Sequence, residues 1–192
     1  MISASTFYLS RLAKSSIKTS IKTRIGLTKI GAHFAVVAGF EFSNLGAQAG
    51  IIDDIVLLVK FDRIETIGIE AHHFMPLYTS ENYNVNRKYK TEDFEQFQSI
   101  TLEKDSRKTQ YIVFLPNNDL FRPALGTLEV TFRFRLFDKK NWEESKQSVF
   151  IEVNETALSN WQNEDTSVMV SSAKSMQLRA DLTKQVFQGV ES

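Results

Sequence analysis

Residues 127–137, TLEVTFRFRLF, alternate without a break: Leu128, Val130, Phe132, Phe134 and Leu136 on one side, Thr127, Glu129, Thr131, Arg133 and Arg135 on the other. A period of two suits only a half-buried β-strand, because successive side chains of an extended backbone point to opposite faces. The same signature recurs through most of the chain. Residues 17–27 place Ile17, Thr19, Ile21, Thr23, Ile25 and Leu27 opposite Lys18, Ser20, Lys22 and Arg24, and residues 34–42 align Phe34, Val36, Ala38, Phe40 and Phe42. The Ile17, Ile21, Ile25 spacing also fits a helix, but the Thr and Ser between them argue for a strand. Residues 51–61 are apolar on both faces, with Ile55, Leu57, Val59 and Phe61 on one and Val56 and Leu58 on the other, which marks an inner strand.

Shorter strands are expected at 64–71, 97–102, 110–115 and 147–153, giving about seven to eight in all. Turn-forming runs punctuate them: Ser43 to Gly50, Glu103 to Thr109, Pro116 to Asp119 and Asp138 to Asn141. No helix connects them, so the pairing is expected to be antiparallel. The predicted fold is all-β, an immunoglobulin-like antiparallel sandwich, with a half-open barrel as the second architecture. The core is expected to be rich in phenylalanine, from Phe34, Phe40, Phe42, Phe61, Phe132 and Phe134. The sandwich is assigned to 17–153, after a basic extension at 1–16 in which Ile2, Phe7, Tyr8, Leu9 and Leu12 could form a short amphipathic helix. Residues 79–96 read as a long polar loop with a helical turn near Glu92 to Gln96. Residues 154–192 read as a polar linker followed by an amphipathic helix at 173–188 with the stripe Leu178, Leu182 and Val186, capped by Ser172 and stopped by Gly189.

Three stretches, FEFSNLGAQAGIIDDIVLLV at 40–59, ITLEKDSRKTQYIVF at 100–114 and LEVTFRFRLFD at 128–138, resemble small bacterial immunoglobulin-like domains. In that family a strand ends in an Asn-x-Gly link and a later turn precedes a strand of the I-x-F kind. The similarity covers residues 17–153, and its matching positions are Asn44, Gly46, Gly50 and Asp54. It implies a non-catalytic sandwich, and in several members a tether to the membrane through a preceding span. This chain departs from the tethered layout in lacking a complete span before Ser3. The resemblance names no ligand and no catalytic residue.

Charge is distributed unevenly. The chain is formally neutral, with 23 basic and 23 acidic residues, but its first acid is Glu41. Residues 1–40 carry Arg11, Lys14, Lys18, Lys22, Arg24 and Lys29, a charge of +6, and 41–192 carry 17 basic and 23 acidic groups, a charge of −6. A basic edge strand that resists aggregation, a juxtamembrane stretch facing anionic lipid, and an organelle-targeting peptide all fit that composition. The apolar run 55–59 is far short of the roughly 18 residues of a membrane span.

Several chemistries find little support. Without cysteine there is no disulfide, thiolate metal site or cysteine nucleophile. No Gly-x-Ser-x-Gly elbow and no phosphate-cradling glycine loop is present. Glu70 and His72 share a strand face and offer two ligands for a metal-assisted hydrolase, with His73 expected to point away and His33 the remaining histidine. Asp53 and Asp54, with Asp62 at the end of the same strand, could bind calcium or act as acid and base; fixing the turn through the backbone is the plainer role. Adjacent Asp residues on a strand are expected to face opposite ways. Arg133 and Arg135 are expected in cross-strand ion pairs on an outer face. Arg87, Lys88 and Tyr89 in the long loop offer cation and aromatic contacts, but the neutral chain argues against nucleic acid. Asn154-Glu155-Thr156 matches a glycosylation acceptor, a pattern too common to set a compartment.

The functional expectation is a non-enzymatic interaction or assembly module without a cofactor, with a protein partner or a second copy as its ligand and an anionic membrane surface as a further one. A structural subunit of a larger assembly such as a virion belongs to the same class. The placement that follows is cytoplasmic or at the cytoplasmic face of a membrane. The expected contact residues are Lys18, Lys22 and Arg24 on the first strand, Arg87, Lys88 and Tyr89 in the loop, and Leu178, Leu182 and Val186 on the helix.

Overall fold

The computed structural model describes residues 14–30, 33–61, 66–75, 94–116, 121, 124–145, 147–163 and 167–170. The expectations for 1–13, for Asp62, for most of the 79–96 loop with Arg87, Lys88 and Tyr89, and for the helix carrying Leu178, Leu182 and Val186 lie outside the described residues.

The described chain is mostly β. Its strands are β1 (Ile17–Ile30), β2 (His33–Asn44), β3 (Gly50–Phe61), β4 (Ile67–Met75), β5 (Glu95–Gln96), β6 (Ile100–Leu102), β7 (Arg107–Phe114), β8 (Gly126–Leu136), β9 (Trp142–Glu144), β10 (Val149–Val153) and β11 (Ser167–Val170), with one helix, α1 (Glu155–Gln162). Every pairing is antiparallel, and the spatial order is β10-β8-β3-β4-β7-β2-β1-β11, with β5, β6 and β9 as short additions on β4, β3 and β8.

This is one continuous sheet curled into a half-barrel, and β4 makes the curl. Its first half pairs with β3, from Val56–Glu70 to Val59–Ile67, and its second half pairs with β7, from Ala71–Phe114 to Met75–Tyr111. The two halves of the sheet then face each other over a shared core. Phe40 of β2 meets Phe132 of β8 edge-on at 5.0 Å between ring centres, and Phe42 and Phe114 lie 5.9 Å from Phe40. Of the predicted inward phenylalanines, 40, 42, 61, 132 and 134 are buried; Phe34 is half-buried and packs on the rim of the core. The strict alternation of β8 is reproduced residue for residue in its burial.

A second, smaller cluster lies apart from this core. Ala35, Val37, Val113 and Leu115 gather there with Ile30, Met75 and Phe94.

The region after Asn154 is more ordered than its polar composition suggests. Asn154 caps α1, its Oδ1 accepting from the Ala157 amide at 2.9 Å, and Glu155 adds an acid where the helix dipole favours one. α1 inserts Trp161 fully into the core against Phe34 and Phe121, and the indole Nε1 donates to the Thr28 carbonyl at 2.8 Å. β11 then pairs with β1 over residues 24–27. The helical turn expected near Glu92 to Gln96 is replaced at 95–96 by β5, because those residues find free backbone partners in His73 and Phe74 of β4.

The link between β2 and β3 is organised by Asn44, which is fully buried. Its Oδ1 accepts from the amides of Ser16 and Gly46 at 3.1 and 3.0 Å, and its Nδ2 faces the carbonyls of Gln48, Leu102 and Glu103 at 2.8 to 3.2 Å. One side chain thereby ties the start of β1, the link and the β6–β7 turn. Gly46 is required beside it: a Cβ there would lie 2.4 Å from both the Lys14 carbonyl oxygen and the Ser16 nitrogen, which are backbone atoms that cannot swing aside. At Gly50 a Cβ would meet Ile17 Cδ1 at 2.7 Å.

Candidate functional site

Three strands carry irregular registers, and polar side chains gather at each; in β3 and β4 they are neighbours that strict alternation would separate. The first is in β3. Ile52 pairs with Leu136 and Asp54 with Arg135, so Asp53 is an extra residue without a partner on β8. A bulge of this kind re-aims side chains. Asp53 and Asp54, expected on opposite faces, both reach Arg135, whose Nη2 lies 3.1 Å from Asp53 Oδ2 and 3.7 Å from Asp54 Oδ2. The Ser99 hydroxyl approaches Asp53 Oδ1 at 3.4 Å. The Arg133 and Arg135 guanidinium carbons lie 4.8 and 5.3 Å from the centre of the Trp142 ring, so both cations rest on one indole. Burial raises the Asp54 carboxyl above its ordinary value, helped by Glu70 and Asp53 and opposed by the Ile55 backbone and Arg135. Cross-strand ion pairing was expected of both arginines; Arg135 makes it, with these two aspartates. The arrangement is suited to holding β3 and β8 in register at the bulge.

The second irregularity is at the corner strand. Ala71 pairs with Phe114 and His73 with Val113, leaving His72 as the extra residue. His73, expected to point away from His72, instead meets it: the two Nδ1 atoms are 2.7 Å apart, a distance at which one ring must donate and the other accept. His72 is exposed and His73 is 7% exposed, beside Phe94. Burial, and then the neighbouring His72, lower the His73 pKa. Glu70 lies opposite Val56 on the β3 half of the strand, and His33 opens β2 opposite Ile30. Among the described residues no three His, Asp or Glu side chains converge as a metal site would require.

The third irregularity is in β1. Ile21 pairs with Phe40 and Ile25 with Ala38, so Lys22, Thr23 and Arg24 bulge out opposite Gly39 alone. The bare Gly39 accommodates the Tyr111 ring, since a Cβ there would sit 2.8 Å from Tyr111 Cε1. Lys22 Nζ lies 5.5 Å above the centre of that ring. An open cavity of about 400 Å3 forms at this bulge, with Ser20, Lys22, Thr23, Arg24, Tyr111 and Gln147 in its wall and Glu41 beside them. Along 17–21 the strand is bonded to β2, while β11 begins only at Arg24; over 17–23 no strand among the described residues pairs with its other side.

Of the residues singled out from sequence, Lys22 and Arg24 come together at this cavity, and Lys18 lies exposed on the same strand just before it. Asn44, Gly46 and Gly50 form the β2–β3 link, and Asp54 belongs to the Arg135 cluster instead. Tyr111 and Gln147 were not foreseen. Tyr111 reads as an ordinary strand residue until the register sets it against Gly39.

No family model matches the chain, and no curated protein matches it. Distant likenesses are found among solved structures, two of which follow. A Bordetella pertussis protein carrying the ApaA designation shares 6% identity at a TM-score of 0.36, over 71% of this chain and 92% of its own. A family 123 glycoside hydrolase from Clostridium perfringens shares 10% identity at a TM-score of 0.33, over 69% of this chain and 27% of its own. At these scores neither likeness carries an argument about this chain. Among the described residues no helix is long and apolar enough to cross a membrane.

Proposed function

We propose that the chain is a non-enzymatic interaction or assembly module of the immunoglobulin-like kind, and that it takes a partner strand along residues 17–23 of β1. The observation that supports this reading is that, among the described residues, that segment is bonded on one side only, with Lys18 and Ser20 exposed along it. An unpaired edge offers alternate amide and carbonyl groups to an extended peptide, whose main chain supplies affinity while side chains supply selectivity. The facing halves of the sheet and their Phe core give that edge a rigid backing, as binding segments require.

Amide hydrogen exchange on a dilute monomer tests the reading. The outward amides of 17–23 are expected to exchange far faster than those of β2 and β7, and to become protected when a partner strand is added. Uniform protection of 17–23 in the dilute monomer would overturn it, since the edge would then be occupied already.

A further inference from the structure

We infer that the strand accepted by β1 carries acidic side chains four residues apart, one of them seated in the cavity between Lys22 and Arg24. This rests on the strand-accepting reading and adds the chemistry of the partner. Lys14, Lys18 and Lys22 recur every fourth residue; Lys18 lies in β1, Lys14 three residues before that strand and Lys22 at the first position of its bulge. The burial of 14–20 confirms the alternation: Lys14, Ser16, Lys18 and Ser20 are exposed, and Ser15, Ile17 and Thr19 are half-buried. The exposed side of this stretch therefore carries Lys14 and Lys18 separated by serines, about 13 Å apart at the rise of an extended chain, and leads to Lys22.

The stretch ends at the bulge, which adds Arg24 to Lys22 at one mouth. Neither cation has an ion pair with a described residue; Lys22 rests on the Tyr111 ring. Glu41, the carboxylate of the cavity wall, lies opposite Ser20 on β2, on the bonded side of the strand, so two cations and one anion face the cavity. Ser20, Thr23 and Gln147 add hydroxyl and amide groups suited to the oxygens of a carboxylate. Opposite charges on neighbouring strands attract and like charges directly across repel, so an added strand with acids in this register gains on both counts, while a basic strand is rejected.

Three eight-residue peptides of alternating Thr and Val provide the test: one with Glu at positions 2 and 6, one with Lys at the same positions, and one with Glu at positions 2 and 5, which face opposite ways. Binding is followed by amide chemical shifts of residues 17–24 at low and high salt. The 2,6-Glu peptide is expected to bind best, to weaken as salt rises, and to lose roughly three- to tenfold in affinity with Lys22→Met or Arg24→Gln, the scale of one or two exposed ion pairs. The double variant Lys22→Glu, Arg24→Glu, checked for folding by its thermal transition, is expected to prefer the Lys peptide. Equal binding of all three peptides would overturn the acidic register and leave the strand-accepting edge standing. Binding of none, with the 17–23 amides still open to exchange, would overturn the acidic partner. Displacement of the Glu peptide by equimolar inorganic phosphate would make a free oxyanion the occupant and overturn the strand.

Discussion

The indole of Trp161 donates to the carbonyl oxygen of Thr28, 133 positions earlier in the chain, at 2.8 Å and with both groups buried. A helix of eight residues is marginal alone, so α1 owes its place to this anchor and to its Asn154 cap. Trp161→Phe keeps much of the ring volume and loses the bond, and is expected to cost about 1–2 kcal/mol. Trp161→Ala also opens a cavity and is expected to cost about 3–5 kcal/mol. Urea unfolding of both variants checks the order.

Asn44 makes a sharper case, since it donates and accepts at once. Asn44→Ala strands several buried backbone groups together, for an expected loss of about 3 kcal/mol or more. Asn44→Asp keeps the bonds from Ser16 and Gly46 but turns an anion towards the carbonyls of Gln48, Leu102 and Glu103. Part of its deficit should vanish when the introduced carboxyl is protonated, visible as a variant that regains stability relative to the native protein in acid.

His73 sets a pH dependence. Its pKa in the folded protein lies below the ordinary 6.5, so the unfolded chain takes up the proton more readily. Its contribution is therefore complete above pH 6.5 and is lost as the pH falls through 6.5 towards the lowered value. Denaturation midpoints between pH 7.5 and 5 should decline, and His73→Phe, which suits the neighbouring Phe94, should flatten that decline.

The two aspartates of the β3 bulge should respond in opposite directions. Asp54 has a raised pKa, so its ionised form opposes folding at neutral pH and the penalty fades as the pH falls from the raised value to the ordinary 3.8. Asp54→Asn is expected to stabilise at pH 7 and to make no difference below about pH 3.8, the ordinary carboxyl value. Asp53→Asn weakens the closer contact to Arg135 and should cost about 0.2–1 kcal/mol. Thermal melts at the two pH values separate them.

Much of this fold could be read from residue order. β8 and β1 to β3 show their period plainly, and the buried phenylalanines follow from it. Asn44 and its two glycines stood out as a link. The bulges did not, because one or two inserted residues leave the pattern on either side intact while rotating the residues between. That is why Asp53 with Asp54, and His72 with His73, were assigned to opposite faces, and why the Lys22–Tyr111 contact went unseen. β5, β9 and β11 are two to four residues long, too short to show a period, and exist through the neighbours that pair with them. α1 was hidden because much of its apolar contribution is a single tryptophan.

β4 lends four rungs to β3 and then four to β7. That one strand carries the hydrogen bonding from one flank of the described sheet to the other, so disordering it costs both flanks a ladder. Pulling or heating should thus release the whole wall in a single step, with the histidine corner as the place where it tears.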